Sequence, residues 1–133
     1  SLLPHKGDYR QGETVKESYK LNQPVLVKEI HTQKGSLTES YSMLWCDAEN
    51  IIIETVKKAE DSDDFIIRMY ESHNSQTYMH LETGFEFEKA YLCDMLENNI
   101  CEIKSDGKCI DLDVEGFEIV TVKFTGAKSG GAL

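Results

Sequence analysis

The sequence is poor in proline and in positive charge, and it lacks any long apolar segment. Its 133 residues include 2 prolines, and 14 Lys and Arg against 24 Asp and Glu leave a net charge of −10. That charge repels a phosphate backbone and an anionic lipid surface, so nucleic acid and membranes are poor partners. No apolar run approaches the roughly 20 residues that a membrane-spanning helix needs, and no signal-peptide pattern opens the chain.

Cysteine pairs with metal-binding or redox spacing are also missing. None of the 4 cysteines forms a C-x-x-C pair, which disfavours a zinc ribbon or a thioredoxin-like site. A domain of this size does not need disulfides, so we expect Cys46, Cys93, Cys101 and Cys109 to be small apolar residues on separate strands. Because the sequence also has no N-x-S/T sequon, a cytoplasmic location is expected.

Motifs that carry catalysis or bind metals are equally scarce. The sequence has no G-x-S-x-G nucleophile elbow, and its histidines form no H-E-x-x-H group. The alternating acids Asp111, Asp113 and Glu115 imitate a calcium loop, but the position of its bidentate acid falls on Val122. These acids therefore indicate the solvent-facing side of a strand, and we predict neither a catalytic nor a metal-binding residue within the chain.

The hydrophobic period divides the chain into two parts. Asp8 and Gln11 fit a capping box, and Val15 and Tyr19 lie four residues apart, which predicts one helix over residues 9–21. From residue 24 onward the period changes to two. Alternating or β-branched runs occupy residues 25–30, 41–45, 51–56, 65–70, 85–88, 110–115 and 120–125.

Turn signals separate these runs, and the fold class follows from their number and spacing. Short strands with Gly, Asp and Asn between them predict a mainly β fold, an antiparallel β-sandwich of about seven to nine strands with one N-terminal helix. No later segment has a helical period long enough for a βαβ crossover.

The segment from Arg68 to Gln76 is the most suggestive place for ligand contact. It ends an apolar strand with a dense set of hydrogen-bonding side chains, and loops at the ends of sandwich strands often bind ligands. The fork of an arginine also suits sugar hydroxyls. The substrate-proximal candidates are Arg68, Glu71, His73, Asn74 and Gln76. A polar hairpin turn, with Arg68 paired to a strand neighbour, is the simpler interpretation and stays open.

Three stretches of the chain resemble a known family. Residues 50–73, with a β-branched strand, the sequence ETVKKAED and then RMYE, are similar to the C-terminal region of glycoside hydrolase family 38 α-mannosidases of the bacterial and cytosolic type. Residues 4–9, followed by residues 17–24, resemble the segment that enters this region, and residues 117–124 resemble its final strand. The resemblance covers residues 4–124.

The resemblance implies an enzyme of which this chain is one part. Members of the family hydrolyse α-mannosidic bonds with retention, using an aspartate nucleophile and a zinc ion in a large N-terminal domain. Those motifs have no counterpart here, so we expect a C-terminal accessory domain that is inactive alone and binds no cofactor itself, the zinc belonging to the absent catalytic domain. The implied partners are that catalytic domain and mannose-containing glycans, and a homo-oligomer is left open.

The expected organisation has three parts. Residues 1–23 form a helical lead-in from the preceding domain, residues 24–125 the β-sandwich, and residues 126–133 a flexible tail, because this glycine-rich end lacks alternation.

Two other functions are weighed against the accessory domain. Sandwich domains that bind carbohydrate use exposed aromatic side chains, so a non-catalytic carbohydrate-binding module is the main alternative. Trp45, however, stands in a stripe with Tyr41 and Met43, which is more typical of a core strand. A standalone catalyst built from distant residues has no support in the spacing.

Overall fold

The computed structural model of the chain contains two compact units. It describes residues 1–31, 34–35 and 39–127, and the units are residues 1–35 and 36–133. Most of the predicted tail, residues 128–133, lies outside the described residues.

The helix of the first unit begins later than predicted. Helix α1 spans Thr14–Asn22. The predicted capping box does form: the Gln11 backbone N–H donates to Asp8 Oδ1 at 3.2 Å, and the Asp8 N–H donates to Gln11 Oε1 at 3.2 Å. Glu13 then adopts a left-handed conformation with φ of 48°, which a right-handed helix cannot include. The box therefore stabilises a turn, and the helix starts only after it.

Residues 25–30 do not form the buried strand that their β-branched sequence predicts. The structure gives residues 24–31 no strand, and Val25, Leu26, Val27 and Ile30 are 88%, 95%, 90% and 67% exposed. The prediction is wrong because β propensity reflects packing against neighbouring strands and a buried face, and no strand of the described residues pairs with this run.

The second unit confirms the predicted mainly β fold. Its strands are β1 (Leu44–Cys46), β2 (Ile51–Lys58), β3 (Phe65–Glu71), β4 (Thr77–Thr83), β5 (Lys89–Cys93), β6 (Asn99–Ile103), β7 (Cys109–Val114) and β8 (Ile119–Thr125). They form a three-stranded sheet in the order β1-β4-β7 and a five-stranded sheet in the order β2-β3-β8-β5-β6. Every pairing among these strands is antiparallel.

The core lies between the inner faces of the two sheets. Met79 and Leu81 of the three-stranded sheet share one buried cluster with Met69, Val122 and Phe124 of the five-stranded sheet. Successive side chains of a strand point to opposite faces, so the alternate positions of the same strands lie on the outer faces.

Residues 85–88 form a crossover instead of the predicted strand. The segment joins β4 of one sheet to β5 of the other and carries Phe85 and Phe87 into the core. Phe87 and Phe124 meet edge to face with ring centroids 4.7 Å apart. Phe85 and Phe87 do alternate with Glu86 and Glu88, but the alternation separates the buried side of the crossover from its exposed side and does not indicate a strand.

Trp45 does not lie in the core. Leu44 and Cys46 of β1 pack against the core, whereas Trp45 between them is 54% exposed and Tyr41 is 52% exposed. The predicted stripe is therefore wrong for Tyr41 and Trp45, although its third member, Met43, does pack against the core. Side chains alternate along β1 with a period of two, so Trp45, which stands between two core-facing residues, lies on the outer face.

Two minor predictions, for the cysteines and for the acids of β7, are confirmed. The four cysteines lie on β1, β5, β6 and β7 and are free thiols. The acids Asp111 and Asp113 are exposed on β7, as expected for residues on the solvent-facing side of a strand. No helix within the described part of the chain is long and apolar enough to span a membrane.

Candidate functional site

Three turns at one end of the sandwich meet around a buried carboxylate. Glu71, the last residue of β3, is 0% exposed. It accepts hydrogen bonds from three backbone N–H groups and from one side-chain amide. The donors are His73 N at 2.6 Å, Ser75 N at 3.2 Å, Phe117 N at 3.0 Å and Asn50 Nδ2 at 2.8 Å. We call this arrangement the Glu71 clamp, since it joins the turns at residues 47–50, 72–76 and 115–118.

Asn50 and Gly116 complete the clamp. Asn50 Nδ2 also donates to Thr77 Oγ1 at 2.6 Å, and the Ser72 backbone N–H and hydroxyl both donate to Asn50 O at 2.9 Å. A Cβ at Gly116 would come within 2.7 Å of Asn74 Oδ1 and 2.9 Å of the Asn74 carbonyl carbon. The close approach of these two turns therefore requires glycine at position 116.

The clamp keeps Glu71 ionised. Burial alone would raise the pKa of Glu71, but the four hydrogen bonds to its carboxylate outweigh burial and hold that pKa below the ordinary value of 4.5. A buried charge is tolerated here because each of its donors is fixed by a turn backbone or by a packed amide.

The substrate-proximal candidates fall into two separate places. Glu71 points inward and is occupied by donors of its own chain, whereas His73 is half-buried and Asn74 and Gln76 are exposed on the outside of the turn. Arg68 lies on the outer face of the five-stranded sheet, away from this turn. Ligand contact by any of the five residues stays a prediction.

Arg68 helps to hold a loop across that outer face. Its Nε donates to Thr121 Oγ1 at 3.2 Å, and Thr121 is its partner on the neighbouring strand. Its Nη2 donates to Met95 O at 3.4 Å. Met95 belongs to residues 94–98, the connection between β5 and β6, which we call the β5–β6 loop.

Ion pairs and hydrogen bonds fix the same loop at its far side. Glu97 is 9% exposed; its Oε1 lies 2.7 Å from Lys57 Nζ, and its Oε2 accepts from Glu60 N at 3.0 Å. Lys123 Nζ donates to Glu97 O at 2.6 Å. Cys93, the last residue of β5 before the loop, is only 5% exposed although it lies outside the main core. Three cations of this sheet face, Arg68, Lys57 and Lys123, are thus engaged by the loop.

The outer face of the three-stranded sheet carries a cluster that the sequence analysis did not identify. His80 Nδ1 lies 2.7 Å from Asp111 Oδ1, and the His80 backbone N–H donates to Asp47 Oδ1 at 2.8 Å. The hydrogen bond with Asp111 raises the pKa of His80. Exposed Trp45 and Tyr78 lie on the same face. In the sequence, Tyr78 and His80 alternate with the apolar Met79 and Leu81, and this pattern could have placed both side chains on the outer face of one strand.

Metal binding finds no support in the described part of the chain. There, no three His, Cys, Asp or Glu side chains come close enough together to share a metal ion.

Comparison with known proteins decides the family. Residues 50–122 match the sequence model of the glycosyl hydrolases family 38 C-terminal beta sandwich domain. The matched segment runs from the turn before β2 into β8, and so includes the Glu71 clamp and the β5–β6 loop. This chain belongs to that family.

Individual relatives of this family 38 domain are α-mannosidases. Alpha-mannosidase G of Dictyostelium discoideum is 30% identical over 128 residues, which are 93% of this chain and 12% of the relative. Alpha-mannosidase 2C1 of Homo sapiens is 31% identical over 100 residues, 73% of this chain and 9% of the relative. The enzyme of the same name from Mus musculus is 30% identical over 100 residues, with the same coverage. The chain thus spans about a tenth of the length of these relatives.

Proposed function

We propose that this chain is an accessory domain of an α-mannosidase, which hydrolyses terminal α-mannosidic linkages and packs this domain against its catalytic part. The observation that carries the proposal is the coverage: enzymes named α-mannosidase match up to 93% of this chain with only 12% of their own length. Zinc chemistry and the nucleophile belong, in this proposal, to the rest of the polypeptide. The four free thiols agree with a reducing, cytoplasmic compartment.

Exposed apolar side chains support packing against the rest of the enzyme. Leu26 and Val27 are 95% and 90% exposed, and Leu96 at the tip of the β5–β6 loop is 83% exposed. Burying one such side chain contributes about 1.5–3 kcal/mol, so a partner surface that covers several of them is favoured. In this proposal, that surface belongs to the remaining nine-tenths of the polypeptide.

The turn at residues 72–76 is our candidate for a contribution to the substrate cleft. The Glu71 clamp fixes the turn backbone, while Asn74 and Gln76 project from it with exposed amides. A rigid turn that presents amide donors and acceptors can bind sugar hydroxyls with little loss of conformational entropy.

Activity measurements test this proposal. We expect the 133-residue chain alone to leave 4-nitrophenyl α-mannoside intact with or without added Zn²⁺, and the longer enzyme that contains it to hydrolyse this substrate. In that enzyme, the double variant Asn74→Ala, Gln76→Ala should lower kcat/KM several-fold. The matched control Glu54→Gln, at an exposed bulge of β2, should not. Zinc-dependent turnover by the chain alone would overturn the proposal.

One observation favours the alternative of a carbohydrate-binding module. The only tryptophan of the chain, Trp45, is exposed on a sheet face, where sugar-binding sandwiches present their aromatic rings. Binding of mannose oligosaccharides by a chain whose longer form has no hydrolase activity would establish the module instead.

A further inference from the structure

Two exposed aromatic rings share the outer face of the three-stranded sheet. Trp45 is 54% exposed and Tyr78 is 64% exposed. Trp45 is paired with Glu82, and Tyr78 lies four residues before Glu82 on the same strand, so both rings stand on one face. Met79 and Leu81 on the opposite side of β4 are fully buried, which fixes this orientation.

The groups between the rings are hydrogen-bonding and acidic. His80 lies between Tyr78 and Glu82 on β4, and its ring is held by Asp111 at 2.7 Å. Burial, followed by the charge and the hydrogen bond of Asp111, raises the pKa of Tyr78. The contact with Asp111 orients the His80 ring before any ligand arrives.

The chemistry of this face disfavours anionic ligands and suits a ligand with many hydroxyl groups. The outward positions of β1, β4 and β7 hold no lysine or arginine; they are Trp45, Tyr78, His80, Glu82, Cys109, Asp111 and Asp113. Carboxylates accept hydrogen bonds from hydroxyls but repel phosphate and sulfate. Indole and phenol rings offer flat apolar surfaces with a polar edge, which suit the C–H face of a pyranose.

The spacing of the rings selects an oligosaccharide over a single sugar. Four residues along a strand and one strand across place the two Cα atoms roughly 14 Å apart, by ordinary sheet geometry. One pyranose ring cannot contact both aromatic rings across that distance. A chain of several sugars can place one unit on each ring and turn the hydroxyls between them toward His80 and Asp111.

We propose that this face binds an oligosaccharide of mannose, with Trp45 and Tyr78 as the stacking surfaces and the His80–Asp111 pair between them. The choice of mannose rests on the proposed function, because it follows from the α-mannosidase relatives. The face adjoins the turn at residues 72–76, because Tyr78 is the second residue of β4, two positions after Gln76.

Trp45 makes the test direct, because it is the only tryptophan and its emission reports on this face alone. Titration of the 133-residue chain with α-linked mannopentaose should give a saturable emission change, with half-saturation at least tenfold lower than for methyl α-mannoside. Tyr78→Ala should weaken binding at least tenfold. Trp45→Ala, followed by calorimetry, should abolish it. Phe117→Ala, which removes an aromatic ring 58% exposed in the β7–β8 turn, should bind normally.

Other outcomes would overturn the inference. They are the absence of saturable binding, unchanged affinity in Tyr78→Ala with normal thermal unfolding, and equal affinity for cellopentaose. An emission change given by a lysine-rich peptide but not by the oligosaccharide would show an acidic protein-docking face. The proposed function is judged separately: if the longer enzyme cleaves 4-nitrophenyl α-mannoside while the chain binds no oligosaccharide, this inference fails and the proposed function stands.

Discussion

At the scale of single residues, Glu71 has the largest structural role in the candidate site. It is the one fully buried carboxylate that the described residues contain, and it connects three turns through four hydrogen bonds. A glutamine at this position would turn amide hydrogens toward backbone N–H donors and leave some of them unpaired. We expect Glu71→Gln to lower the free energy of unfolding by about 2–3 kcal/mol in urea denaturation at pH 7. Glu54→Gln, an exposed control, should change it by less than about 0.5 kcal/mol.

The same residue makes an acid-sensitive contribution to stability. Because the folded-state pKa of Glu71 lies below its ordinary value of 4.5, the unfolded state binds the proton more readily. The stabilisation is therefore fully present above pH 4.5 and is lost as the pH falls through the lowered folded pKa. Urea midpoints at pH 7 and pH 2.5 should differ less in Glu71→Gln than in the wild type. An equal difference in both proteins would contradict this role.

At the scale of elements, the crossover at residues 85–88 contributes to the core as a strand would. Phe87 is 5% exposed and packs against Phe124. Replacing such a ring by alanine removes its transfer free energy and leaves a cavity, so Phe87→Ala should cost about 3–4 kcal/mol in chemical denaturation. Phe117→Ala removes a ring of the same size that is 58% exposed, and we expect a cost below about 1 kcal/mol. Similar costs for both would argue against a packed crossover.

We expect the β5–β6 loop to protect the thiol of Cys93. Glu97 joins the loop to Lys57, and Cys93, directly before the loop, is 5% exposed, with burial raising the pKa of its thiol. Glu97→Ala should free the loop and increase the alkylation rate of Cys93 by iodoacetamide several-fold, measured by peptide mass spectrometry. The exposed Cys101 provides an internal reference whose rate should stay constant.

Glu102→Ala is the matched control for that experiment. This residue also pairs with a lysine, at 3.0 Å from Lys89, but it lies on β6 and not in the loop. The rate for Cys93 should be unchanged. If both variants raise it equally, the loop is not what protects the thiol.

At the scale of the whole molecule, the proposal that this chain packs against the rest of a longer enzyme predicts that apolar side chains exposed on both units become buried there. Val25, Leu26 and Val27 in the first unit and Leu96 in the second are exposed. Hydrogen–deuterium exchange at residues 25–30 should be fast in the isolated chain and at least tenfold slower in the longer enzyme. Leu26→Asp should lower the thermal stability of the longer enzyme but not of the isolated chain. Fast exchange in both forms would contradict docking at this segment.

The sequence by itself determined the class of fold and the family. Period-two alternation in runs such as residues 65–70 and 120–125 predicted strands that the structure contains as β3 and β8, since a half-buried strand needs that pattern whatever its partners are. The stretch at residues 50–73 carried the resemblance that the family match bears out. Both signals are local, so they can be extracted from one sequence.

Only the tertiary structure decided which face of a strand each side chain lies on, which strands pair and which residues lie together in the candidate site. It turned Trp45 outward, made residues 85–88 a crossover and left residues 25–30 without a strand partner, because burial depends on a neighbour that local sequence does not specify. It also separated Arg68 from the turn that follows it and joined Glu71 to Phe117, 46 positions away. Such contacts arise from sheet register, which is a property of several segments together.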